Sequence, residues 1–159
     1  MKYLSKTILT LTSIFCIIAN LNVFANSKMS SDESKQFVKN AVIYALENTN
    51  PNMDYSKFVS KNFVNHIDGN KFNYEQWVTH QKNIKKIVKS MKPTFNLLIA
   101  EDNNVAAIYY IKIEKNDGSE LEVKDMAFFK IKDHKIIYCE ELTRLTQGNQ
   151  LDKNIGSTK

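Results

Sequence analysis

A carboxylate stands in the middle of an apolar row. Between residues 120 and 131 the side chains alternate, so Leu121, Val123, Asp125, Ala127, Phe129 and Ile131 share one face of the implied strand. An ionised carboxylate in such a row is costly unless a donor faces it or water reaches it. Asp125 is therefore either a structural aspartate bonded to a donor such as a backbone amide, or a cavity residue. In a cavity it serves as a general base or a ligand anchor.

Other residues fall where they can join it. Tyr109 shares a strand face with Val105, Ala107, Ile111 and Ile113, and its phenol needs a partner even if the ring is only core packing. Ala107 and Ala127 are small enough to leave space beside Tyr109 and Asp125 if both rows face inward. His80 lies three residues after Trp77 and four before Ile84, on the inward stripe of a helix. It is a core histidine or it faces the same cavity as Asp125. His66 closes a short strand two residues before Asp68 and is placed at the cavity mouth. The candidate ligand-binding set is thus His66, Trp77, His80, Tyr109 and Asp125, with Asp125 the candidate catalytic group. His134, in a turn, reads as solvated, and Cys139 as an inert buried thiol.

Several mechanisms find no support in the sequence. It has no Gly-rich phosphate loop, no paired-histidine helix signature, no serine elbow and no cysteine pair at zinc spacing, so no cofactor and no metal are expected. The lysines at 82, 85, 86 and 89 read as the solvated side of a helix. No aromatic platform accompanies them, and nucleic acid is not an expected partner.

The elements that position these residues follow from periodicity. Ser30 and Glu33 have capping-box spacing and open a first helix, whose apolar face runs through Phe37, Val38, Ala41, Val42, Tyr44 and Ala45 to near Asn48, ahead of Pro51. Asp54 caps a short helix over residues 54–59. A strand follows over residues 63–67, with a turn at Asp68-Gly69-Asn70. Asn73 and Gln76 open a long helix to about Met91, with Trp77, His80, Ile84, Ile87, Val88 and Met91 on one stripe. From there the period is two, with strands over residues 94–100, 105–114, 120–131 and 135–144 joined by short turns.

The chain has 159 residues and a formal net charge of +5. Lys2 and Lys6, an apolar run over residues 8–19 and Val23-Phe24-Ala25 compose a cleaved export signal over residues 1–25. Thr10, Thr12 and Ser13 interrupt the run, which falls short of the roughly 18 residues of a membrane span. Phe15 stands where a lipoprotein signal needs a small residue before Cys16. The expected product is periplasmic or secreted, with no membrane attachment after cleavage. It keeps Cys139 as its one cysteine, so no internal disulfide is available. A linker over residues 26–30, one domain over residues 31–145 and a disordered tail over residues 146–159 complete the division. A domain of that size folds on its own core.

Helices first and strands last make an α+β layout: a cone-shaped, curved antiparallel sheet wrapped around a long helix, with N-terminal helices. This order, with Phe63-Val64-Asn65-His66, Asp68-Gly69, Tyr74-Glu75-Gln76-Trp77, Phe128-Phe129-Lys130-Ile131, Lys135-Ile136-Ile137 and Glu140-Glu141-Leu142-Thr143-Arg144, resembles the nuclear transport factor 2-like superfamily, in its SnoaL-like branch. The resemblance spans most of residues 31–145. It implies an open cone enclosing a pocket, on which enzymes, ligand binders and partner-binding proteins are all built. In cyclase and isomerase members a pocket aspartate moves the proton. The matching position here is Ala127, two residues after Asp125 on the same face, and His134 replaces the usual turn glycine.

The expected function is an exported domain that binds a small, partly apolar molecule between sheet and long helix, in a cavity of roughly a few hundred Å³. An alternative is an isomerase, cyclase or hydratase in which Asp125 is acid or base and Tyr109 or His80 stabilises an oxyanion. A third is a partner-binding protein whose outer sheet face forms a homodimer.

Overall fold

The structure, a computed structural model, describes residues 28–157. The export signal expected over residues 1–25 lies outside the described residues. Among the described residues no helix is long and apolar enough to cross a membrane.

Helix α1 (Ser31–Glu47) starts at the expected capping box. The Glu33 amide donates to Ser30 Oγ at 3.2 Å, and the Ser30 amide donates to Glu33 Oε2 at 2.8 Å. The helix ends where Asn48 turns extended. The short helix expected next is a single 3-10 turn, Tyr55–Lys57, capped by Asp54. Strand β1 (Val59–Ile67) then begins four residues before the expected strand. Asp68 and Gly69 take positive φ in the turn, which Asp and Gly tolerate best, and a strand too short to show a period, β2 (Asn70–Asn73), pairs back onto β1.

Helix α2 (Tyr74–Ile87) opens on its own capping box, Asn73 with Gln76, and stops four residues short of the expected end. Strand β3 (Val88–Glu101) begins there because Val88 and Met91 find cross-strand partners in Lys115 and Ile113. A bulge between Val88 and Ser90 lets both apolar side chains stay buried at a spacing of three, which the sequence also permits in a helix. Pro93 sits within β3, an edge strand, where its missing donor is tolerated.

Strands β4 (Asn104–Lys115), β5 (Glu120–Lys132) and β6 (Lys135–Gln147) return as an antiparallel meander. The six-stranded sheet has the order β2-β1-β6-β5-β4-β3, and it is curved and open. It is mixed rather than wholly antiparallel, because β1 runs parallel to β6. After β2 the chain crosses through α2 to the far edge and comes back strand by strand, so β6 reaches β1 in the same direction. Helix α2 is also shorter than expected, and α1, at 17 residues, exceeds α2, at 14.

The inner face carries the expected apolar rows of β4 and β5, all buried. The stretch expected as a loose tail differs. Asp152 in a second 3-10 turn, Gln150–Asp152, accepts from Lys115 Nζ at 3.2 Å, and Ile155 is buried against the core. One isoleucine in a polar segment creates no periodicity, which is why its packing leaves no pattern in the sequence.

Candidate active or binding cavity

Tyr109 and Asp125 face each other across β4 and β5 as direct cross-strand partners. The Tyr109 phenol donates to Asp125 Oδ2 at 2.8 Å in a buried setting. The adjacent inward pair is Ala107 with Ala127, so the two smallest side chains of these rows lie side by side. On β6, Thr143 stands opposite Asp125 and Glu141 opposite Ala127. Ala127 thereby makes room for a second carboxylate beside Asp125.

Glu141 was not among the residues expected in the site. In the sequence it is one of two consecutive glutamates, Glu140 and Glu141, that carry part of the family resemblance. The signal that finds it is alternation: Cys139, Glu141 and Thr143 share the inner face of β6, leaving Glu140 outside. The Cys139 thiol, itself buried, donates to Glu141 Oε1 at 3.0 Å. Buried Asn65, the β1 partner of Cys139, adds a favourable contact with Glu141.

Asp68 fixes the outer end of this cluster. Its carboxylate accepts from the Thr143 amide at 2.7 Å and from the Thr143 hydroxyl, and its own amide donates to the Glu141 carbonyl at 3.0 Å. These bonds hold β6 at the two residues that flank Asp125.

The electrostatics follow from that packing. Burial pushes the Asp125 carboxyl well above the ordinary range, and the negative charge of Glu141 adds to the shift, while the Tyr109 hydroxyl draws it back. Burial raises Glu141 as well, against the opposing effect of its donors. The two carboxyls therefore hold a proton to higher pH than isolated ones, and they titrate as a pair. Burial also raises Tyr109 and Cys139, so both stay protonated.

Tyr109, Asp125, Cys139, Glu141 and Thr143 of this cluster line a cavity of about 110 Å³. Ala41, Val42 and Leu46 of α1 and Trp77 and Ile84 of α2 supply apolar wall, while His80 and Gln81 add polar groups from α2. Ile155 and Gly156 of the C-terminal segment line it too. The volume is below the few hundred Å³ expected. It suits several waters or one small organic group.

Four of the five candidate residues, Trp77, His80, Tyr109 and Asp125, line this cavity. Trp77 makes edge contacts with Tyr55 and Phe63, at 4.8 and 5.3 Å between ring centroids. His80 is buried and stacks on Phe72 at 5.5 Å. His66 is not part of the site. Strand alternation sends Phe63, Asn65 and Ile67 inward and His66 to the outer face, where its ring meets Tyr138 at 5.6 Å. Lys85, expected on the solvated side of α2, is also misplaced by that reading. It is 5% exposed and donates to the carbonyl oxygens of Ala45, at 2.7 Å, and Asn48. Burial draws its pKa down to about 8. Among the described residues no group of three His, Cys, Asp or Glu is arranged to hold a metal ion.

No family model matches the chain. An uncharacterized protein of Schizosaccharomyces pombe is 21% identical over 102 residues, covering 64% of this chain and 78% of that one. Among solved structures, AclR, a putative hydroxylase from Streptomyces galilaeus, superposes with a TM-score of 0.61 at 14% identity, covering 82% of this chain and 89% of its own. IdmH, a putative polyketide cyclase from Streptomyces antibioticus, gives 0.60 at 10% identity over 70% and 91%. An epoxide hydrolase of the LEH-like type from M. tuberculosis gives 0.59 at 13% identity over 71% and 84%. The chain has the nuclear transport factor 2-like fold.

Proposed function

We propose that this chain is an exported domain that takes a small, partly apolar molecule into the cavity between sheet and helices. The observation that carries the reading is the asymmetry of the lining. Most of the cavity is hydrocarbon and aromatic, and Tyr109, Asp125, Glu141 and Thr143 gather polar groups on adjacent strands of the sheet, the pattern that orients a ligand by one head group. The solved neighbours of this fold, named as a putative polyketide cyclase, a putative hydroxylase and an epoxide hydrolase, support the same reading. Export rests on the charged, apolar and small-residue order of residues 1–25.

An enzymatic reading draws on one observation: Asp125 is buried yet lines the cavity, and its neighbours favour a protonated carboxyl. Such a group can give a proton to a substrate oxygen and take one from carbon, with Tyr109 as oxyanion donor. A homodimer through the outer sheet face is supported by a cross-strand row, Leu97, Ile108, Met126 and Leu142, which runs over four strands with Leu97, Met126 and Leu142 exposed.

Native mass spectrometry on the chain, expressed with its own leader in a Gram-negative host and recovered from the periplasm, tests these parts together. The expected result is a product beginning at Asn26, as a dimer that releases a small organic mass on activation. A cytoplasmic, unprocessed product removes the export proposal. A cavity that stays empty in the presence of concentrated small apolar probes removes the binding proposal.

A further inference from the structure

The polar atoms of the cavity lining are not matched in kind. Gln81 Oε1 is buried without a hydrogen-bond donor, and Asp125 Oδ1 has no donor except a proton shared with the Glu141 carboxyl beside it; both residues line the cavity, one from α2 and one from β5. Asp125 is 3% exposed and Gln81 9%. Each of these atoms can accept a hydrogen bond, and a buried acceptor left unmet is costly. Glu141 adds a second carboxylate, and Asp68 a third just outside. Among the described residues no arginine or lysine lines the cavity to balance them, and the basic side chain that does is the His80 imidazole; Lys85, the buried cation of α2, points to the end of α1 instead.

A ligand that completes this site brings donors and positive charge. We infer that the cavity is selective for a small aliphatic ammonium ion, its N–H groups directed at Asp125, Glu141 and Gln81 and its hydrocarbon against Trp77, Ile84 and Val42. An ammonium has three donors and no acceptor, which matches a lining whose unmet atoms are acceptors. An alcohol of the same shape offers one donor and no charge, and a carboxylate is repelled. The cavity volume limits the hydrocarbon to a few carbon atoms.

This inference rests on the cavity being a binding site, and the experiment separates the two. Isobutylamine, isobutanol and isobutyrate are titrated into the whole protein at neutral pH, followed by the fluorescence of Trp77, the single tryptophan of the chain. The expected order is the amine at least about tenfold tighter than the alcohol, from charge-assisted bonds, with no binding of the carboxylate. In Asp125→Asn the ratio of amine to alcohol affinity falls to near one. Alcohol binding as tight as amine overturns the ammonium selectivity and leaves the binding proposal standing. An unchanged ratio in Asp125→Asn also overturns it. If none of the three probes binds at millimolar concentration, the binding proposal falls and the selectivity with it.

Discussion

Lys85 and Asp125 are buried to the same degree, at 5% and 3% exposure, and they are opposite in almost every other respect. Lys85 spends its ammonium on two carbonyl oxygens at the end of α1, which a helix terminus would otherwise leave unpaired. It acts as a cap delivered from a neighbouring helix. Asp125 has one oxygen bonded by Tyr109, while the other meets only the Glu141 carboxyl, and only when the two share a proton. A buried charge whose partners are complete is part of the scaffold. One whose partners are incomplete, at the edge of a cavity, is the place where a fold retains cost for another purpose.

The largest effect is expected on the scaffold side. Lys85→Met keeps the length of the stem but leaves the Ala45 and Asn48 carbonyls without their donor, so stability should fall by about 2 kcal/mol. Thermal or urea unfolding measures it. A neutral or stabilised variant would mean that water replaces the cap, and Lys85 would cease to differ from a surface lysine. The wild type should also show the linkage. The folded pKa of Lys85, about 8, lies below its ordinary 10.5, so the unfolded chain binds more protons between these values. The Lys85 contribution therefore makes stability rise with pH across that window, and the slope should vanish in Lys85→Met.

Asp125→Asn should act in the opposite direction and more weakly. Asparagine still accepts from Tyr109, and its amide can donate to Glu141 where the carboxylate could only repel. At slightly alkaline pH the variant should be more stable by about 1 kcal/mol. The sign follows from the raised carboxyl. Its folded pKa exceeds the unfolded value near 3.8, so the folded state holds the proton longer and stability declines as pH rises through that interval. The gain should thus shrink toward zero as the pH approaches 4 in a series of melting curves. A loss of stability at every pH would place Asp125 with Lys85 as a structural residue.

This contrast was half visible in the sequence. Alternation exposed Asp125 and Tyr109 because a polar residue interrupted rows whose facing was clear, and the registers of β4 and β5 then made them partners. Both capping boxes were legible because their donors and acceptors lie three residues apart. Lys85 and Glu141 were hidden by their neighbours: each stands beside like charge, Lys85 in a row that reads as solvated surface and Glu141 next to Glu140, and each is turned inward by contacts with residues distant in the chain. The end of α2 and the parallel placement of β1 were equally out of reach. Both depend on pairings across the sheet that local period does not encode, and His66 was misplaced for lack of the strand's facing.

The smallest and sharpest test concerns whether Asp125 and Glu141 form a pair or only share a neighbourhood. Burial is the leading reason that Asp125 is raised, and the charge of Glu141 is the second. Glu141→Gln removes the second cause and leaves the first. The Asp125 carboxyl, followed by its carbon resonance in a pH titration, should therefore move down while staying above the ordinary aspartate value. A return to that ordinary value would make Glu141 the whole cause and the cavity a well-hydrated one. No movement would make burial sufficient, with Glu141 free to serve the ligand alone. A partial shift means that the two groups share one proton, so a ligand bringing positive charge releases it on binding, and affinity for an ammonium ion rises with pH through the range in which the pair titrates.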